Sequence, residues 1–147
     1  MHKARTAAAA MAITATALAA GAATAEAAPA PPASPATAQA DGYFYTYNGT
    51  GFTDFCGRWS GPSSYWGACA NQDESLWNNG YPGALDDVLI YWGRNQTGAW
   101  RGVCNGNALS NVSGLTFDYS GGASGHGEPI WHNIASHRWA TLGGACA

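Results

Sequence analysis

Apolar and polar positions alternate with a period of two along two stretches of this chain. Tyr43, Tyr45 and Tyr47 interleave with Phe44 and Thr46, and Val88, Ile90 and Trp92 interleave with Leu89 and Tyr91. A two-residue period places successive side chains on opposite faces, so each stretch predicts a β-strand with two differently lined faces. From Asp41 onward no apolar stripe of ten or more residues follows a helical period. Turn signals recur at short intervals instead, at Asn78-Asn79-Gly80, Pro82-Gly83, Asn105-Gly106 and Gly121-Gly122. Short strands separated by frequent turns point to an all-β sandwich or barrel of Greek-key type.

The two alternating stretches belong to a larger repeat. Phe44-Tyr45-Thr46-Tyr47-Asn48-Gly49-Thr50-Gly51 returns as Tyr91-Trp92-Gly93-Arg94-Asn95-Gln96-Thr97-Gly98, and Phe52, Phe55 and Cys56 are matched by Trp100, Val103 and Cys104. Each copy reads as strand, Asn/Gly turn, strand, which predicts a hairpin. Duplication of such a unit is expected when neither copy can bury its apolar face alone.

The N-terminal region has a different composition. His2, Lys3 and Arg5 precede an Ala-rich run from Ala7 to Ala20, and Ala25 and Ala27 form an A-x-A cleavage pattern, so residues 1–27 read as a secretory signal. The run is too short and too weakly apolar for a membrane span. Residues 28–40 are rich in Pro and Ala and carry no charge, which predicts a flexible leader, with one domain over 41–147. That domain holds four arginines, no lysine and eight carboxylates. A net acidic surface without a basic stripe argues against nucleic acid as partner. The chain is expected to be exported and monomeric, with no membrane association in the mature form.

Four cysteines in an exported chain with no C-x-x-C spacing predict disulfides rather than a zinc site. Three pairings are open, and the duplication favours one bridge per copy, Cys56 with Cys69 and Cys104 with Cys146. His126, Glu128, His132 and His137 cluster in sequence, but their spacing matches no zincin helix, Gly125, Gly127 and Pro129 forbid a helix there, and no G-x-S-x-G elbow occurs. No enzyme activity, cofactor or resident metal is expected. Asn48, Asn95 and Asn111 begin N-x-Ser/Thr sequons, two of them in the hairpin turns, where Asn suits the backbone regardless of glycosylation.

Each hairpin is followed by a polar-amide-x-x-Ser element, Gln72-Asp73-Glu74-Ser75 and Asn133-Ile134-Ala135-Ser136. This order resembles the βγ-crystallin Greek key. Ser75-Leu76-Trp77-Asn78-Asn79-Gly80, Val88-Leu89-Ile90-Tyr91-Trp92-Gly93, Thr97-Gly98-Ala99 and Asn133 to Trp139 further resemble bacterial peptidase inhibitor family 36, secreted proteins typified by a metalloproteinase inhibitor. The resemblance implies a βγ-crystallin-like sandwich of two Greek-key motifs and stoichiometric inhibition of an extracellular protease, a metalloprotease among the candidates.

Inhibition needs a loop that is ordered before binding, because immobilising each side chain on contact costs about 0.5–1.5 kcal/mol. The segment Arg58 to Ala68 meets that need if Cys56 pairs with Cys69, with Pro62 to stiffen it and Arg58, Trp59, Tyr65 and Trp66 as its contact residues. Ser120 to Gly127 is the rival segment, but its glycines make it a poor rigid loop. Crystallin-type loops can also hold calcium; here they offer Asn71, Gln72 and Ser75 in one copy and His132, Asn133 and Ser136 in the other. The family's acidic pair is missing, so weak calcium binding or none is expected. A non-catalytic module that stacks exposed Trp and Tyr on cell-wall sugars, or a purely structural protein, are the alternatives.

Overall fold

The structure is a computed structural model that describes residues 38–143 and Cys146. The signal segment 1–27 and most of the leader lie outside the described residues. Seven strands form: β1 (Tyr43–Gly49), β2 (Thr53–Trp59), β3 (Ser75–Asn79), β4 (Asp87–Tyr91), β5 (Trp100–Val103), β6 (Ala108–Leu109) and β7 (Ser136–Ala140). They build two antiparallel sheets, ordered β2-β1-β3-β6 and β5-β4-β7. Among the described residues the only helical turns are three-residue 3-10 turns.

Both alternating stretches are strands, and their periodicity sorts residues as expected. Phe44 of β1 and Leu76 of β3 face Val88 and Ile90 of β4 and Val103 of β5, and together with Val112, Phe117, Ile130 and Ile134 they fill the space between the sheets. Tyr45, Tyr47 and Trp77 form a separate aromatic cluster on the other face of the first sheet. Ala38 packs against that cluster, and the Gln39 carbonyl accepts a hydrogen bond from Asn79 Nδ2. The leader's last residues, expected to be flexible through residue 40, are therefore tied to the body from Ala38.

The two copies exchange strands. β6, which follows the second hairpin, pairs with β3 of the first copy, while Ser63, which follows the first hairpin, bridges His137 in β7 of the second. Each sheet thus receives its fourth member from the opposite Greek key. The turns repeat the exchange: the Gly51 amide donates to Ser110 O and the Asn95 amide donates to Ser64 O.

These pairs also fix the register of the duplication, and it differs from the register read in the sequence by three residues. Gly49 corresponds to Gly93, Thr53 to Thr97 and Tyr47 to Tyr91, because Thr53 and Thr97 each bond back across the turn and Tyr47 and Tyr91 each oppose the serine of their loop. Asn95 therefore occupies the place of Gly51, both with left-handed backbone (φ 54° and 66°), and not the place of Asn48. The duplication has kept Tyr, Gly, Thr and Ser at the positions that build the turn, and it has kept the left-handed backbone where the letters differ, at Gly51 and Asn95. The serine elements keep the register read from the sequence: Ser75 Oγ donates to Gly49 O and accepts from the Phe52 amide, and Ser136 Oγ donates to Gly93 O and accepts from the Gln96 amide.

Candidate functional site

The two disulfides are Cys56–Cys69 and Cys104–Cys146, one within each copy. They close different loops, because Cys56 lies inside β2 whereas Cys104 follows β5. Asp87 lies beside Cys104 and Cys146, but both sulfurs are engaged in the bridge and offer no thiolate to a metal. Among the described residues no helix is long and apolar enough to cross a membrane.

Cys56–Cys69 clamps the candidate inhibitory segment, and β7 together with the residue before it bonds the segment's backbone at two points. The Ser63 amide donates to His137 O and the His137 amide donates to Ser63 O, both at 3.0 Å; farther along, the Trp66 amide donates to Ala135 O, also at 3.0 Å. Gln96 Nε2 donates to Ser63 O at 2.9 Å. The segment is thus tied to the margin of the second sheet by one antiparallel bridge, Ser63 to His137, and by the Trp66 bond, with bends at Gly61 and Ser64.

Pro62 and the four proposed contact residues fall into three groups. Trp66 is buried, its ring stacked on Trp59 with centroids 5.1 Å apart, and its Nε1–H donates to His137 Nδ1 at 2.7 Å. This corrects its role: Trp66 anchors the segment from below and is not available to a partner, and Trp59 packs on the same core. Arg58 is half-buried over the ring of Tyr43. Pro62 and Tyr65 are exposed, with Tyr65 41% accessible and the Arg94 guanidinium 3.7 Å above its ring. Pro62, Ser64 and Tyr65 thus form the outward surface of the clamped segment.

His137 completes the anchoring. Its Nδ1 accepts from Trp66, so Nε2 carries the proton and donates to Gly61 O at 3.0 Å. Burial lowers its pKa to about 4, offset in part by the Gly61 carbonyl, so the ring is neutral at physiological pH. The clustered ionisable residues of the sequence are in fact dispersed. His132 Nε2 lies 3.1 Å from Glu74 Oε1, whereas Glu128 Oε2 accepts from Trp92 Nε1 and Asn133 Nδ2. In the crystallin-type loops, Asn71 and His132 hold matching left-handed backbone, and both serines are engaged in the turn bonds described above.

Asp73 occupies the position of Ile134 in the other copy: the Asn71 amide donates to Ile134 O and the His132 amide donates to Asp73 O. Its side chain is inaccessible, and neither carboxyl oxygen has a hydrogen bond of normal geometry. Burial pushes its pKa up to about 8, and the nearby amides of Asp73 and Ile134 offset this only partly.

A feature absent from the sequence reading lies where Ser60, Gly61 and Pro62 meet the connection between the two copies. There a surface cleft of about 360 Å³ is lined by these residues together with Gly42, Tyr81, Leu85 and Trp139. Tyr81 and Leu85 are 67% and 60% exposed. The sequence signal was a solitary tyrosine set between the turn pairs Asn79-Gly80 and Pro82-Gly83, where no strand needed it.

A solved structure titled "Evolution of the eye lens beta-gamma-crystallin domain fold" matches this chain with a TM-score of 0.51 and 12% sequence identity, covering 70% of this chain and 89% of that one. With its two antiparallel sheets and exchanged Greek keys, the chain has the βγ-crystallin-like sandwich fold. No protein-family model matches it, and no curated protein matches it.

Proposed function

We propose that the protein is an exported peptidase inhibitor that acts by stoichiometric binding, with residues 60–65 entering the target's cleft. The observation that carries this reading is an exposed segment already held in one conformation before any partner arrives. A disulfide closes its base, β7 bonds its backbone, and Trp66 is sunk beneath it. A segment fixed in one conformation before binding forgoes most of the ordering cost that a flexible peptide incurs. Pro62 removes one backbone donor and narrows the conformations available at the exposed stretch. Tyr65 offers a large, half-rigid ring of the kind enriched in binding hot spots, held from behind by Arg94.

Two disulfides in so small a body fit an oxidising compartment, which agrees with export and with a target that works outside the cell. Inhibition is measured with wild type and Tyr65→Ala against secreted metallo-, serine and cysteine peptidases. Tyr65→Ala is expected to weaken inhibition roughly tenfold or more while leaving the thermal transition in place. Equal potency of the two proteins would remove the 60–65 segment from the contact.

A further inference from the structure

We propose that the cleft beside Pro62 is a stacking site for an uncharged pyranose ring, and that the protein carries a carbohydrate-binding site in addition to its clamped segment. The cleft sits at the end of the sandwich where β1 and β4 begin and β2, β3 and β7 finish. Its volume of about 360 Å³ lies in the range of small-molecule sites. Two aromatic rings form its walls, and a glycine seats each of them. A Cβ on Gly42 would come within 2.7 Å of the Tyr81 ring, and one on Gly80 within 2.6 Å of the Trp139 ring. One edge of each ring therefore lies close against backbone that only glycine permits, which restricts how the ring can turn before any ligand binds.

Leu85 closes the third side. It is 60% exposed in a left-handed conformation (φ 57°) that leucine rarely adopts, and its amide is held by Thr141 Oγ1 at 3.0 Å. An exposed apolar side chain kept in a strained backbone is a feature that clusters at ligand-binding sites. Pro62 and the hydroxyl-bearing Ser60 supply the remaining wall.

The lining selects the class of ligand. No charged side chain contributes to it, so nothing there would repay the desolvation of an anion or cation. A wholly apolar ligand is also disfavoured, because the cleft is open and would leave much of that ligand in water. A neutral sugar has one face of C–H bonds to lay on Tyr81 or Trp139 and a rim of hydroxyls that stay hydrated or bond to Ser60.

The test uses the purified protein, titrated with cellotetraose and chitotetraose as neutral probes, with an oligogalacturonate as charged probe and a proline-rich peptide as the competing class. Amide shifts of Tyr81, Leu85 and Trp139 and intrinsic tryptophan emission report occupancy. One of the neutral tetrasaccharides is expected to saturate these shifts; Tyr81→Ala should weaken that binding at least tenfold, and Tyr81→Trp should retain it. Tyr65→Ala, which disables the proposed inhibitory contact, should leave sugar binding unchanged, so the two readings fail separately. Absence of saturable shifts with both neutral probes, shifts mapping elsewhere, equal binding by Tyr81→Ala, or saturation by the peptide or the charged probe alone would overturn the proposal.

Discussion

Two serines show how much of this fold rests on single side chains. Ser75 and Ser136 each satisfy one amide and one carbonyl of a turn that folds back over its sheet. Alanine at either site would leave both turn groups without their partner, and the cost of an unpaired buried group is about 1–3 kcal/mol. Chemical denaturation of Ser75→Ala and Ser136→Ala should show a loss of that size in each, and a loss in only one would break the equivalence of the copies. Both serines were legible as repeated letters. The contributions of Asp73 and His137 were not, since only packing reveals that a carboxyl and an imidazole lie out of reach of water.

Their titrations oppose each other. Asp73 holds its proton more tightly folded (about 8) than at its ordinary value of 3.8, so its contribution is complete at low pH and is lost as pH rises through 8. His137 binds its proton less tightly folded (about 4) than at 6.5, so its contribution is complete above 6.5 and is lost as pH falls toward 4. Between about 4 and 6.5 the two slopes oppose, and above 6.5 only the Asp73 slope remains. Thermal transitions should therefore fall between pH 6.5 and 8, and Asp73→Asn should flatten that fall. A stability that rises across this interval in the wild type would contradict the burial of Asp73.

The clamped segment depends on both its disulfide and its bonds to β7. Replacing Cys56 and Cys69 with Ser should cost about 2–4 kcal/mol, measured by denaturation, and should reduce inhibition by more than any stability loss accounts for. Inhibition unchanged in the double variant would show that the bridge supports the body and not the contact. The cysteine pairing could be read from the duplication. The direction of Trp66 could not, because the sequence alternates only weakly through Tyr65 and Trp66, and the choice between partner and core was made by His137, which is distant in sequence. For the same reason the cleft stayed hidden: Tyr81, Leu85, Trp139 and Pro62 come together only when the two copies exchange strands.

That exchange makes the molecule a single unit. Ser63 completes the sheet of the second copy and β6 completes the sheet of the first, and the inter-sheet core draws on both. Fragments 38–80 and 81–147 produced separately should each lack a cooperative transition and should gain β-structure only when mixed; a separately folded half would contradict the exchange. The all-β class, the hairpins and the duplication were visible in period-two patterning and turn residues. The strand exchange itself was not, because a short Ser63 bridge and a two-residue β6 leave no periodic signal. The most direct measurement is active-site titration of secreted peptidases with increasing amounts of the intact protein. At least one peptidase should lose activity linearly to an endpoint near one equivalent, with the segment 60–65 recovered uncut. Full activity in every class at many equivalents, or steady cleavage of that segment, would show that the clamped segment is not an inhibitor.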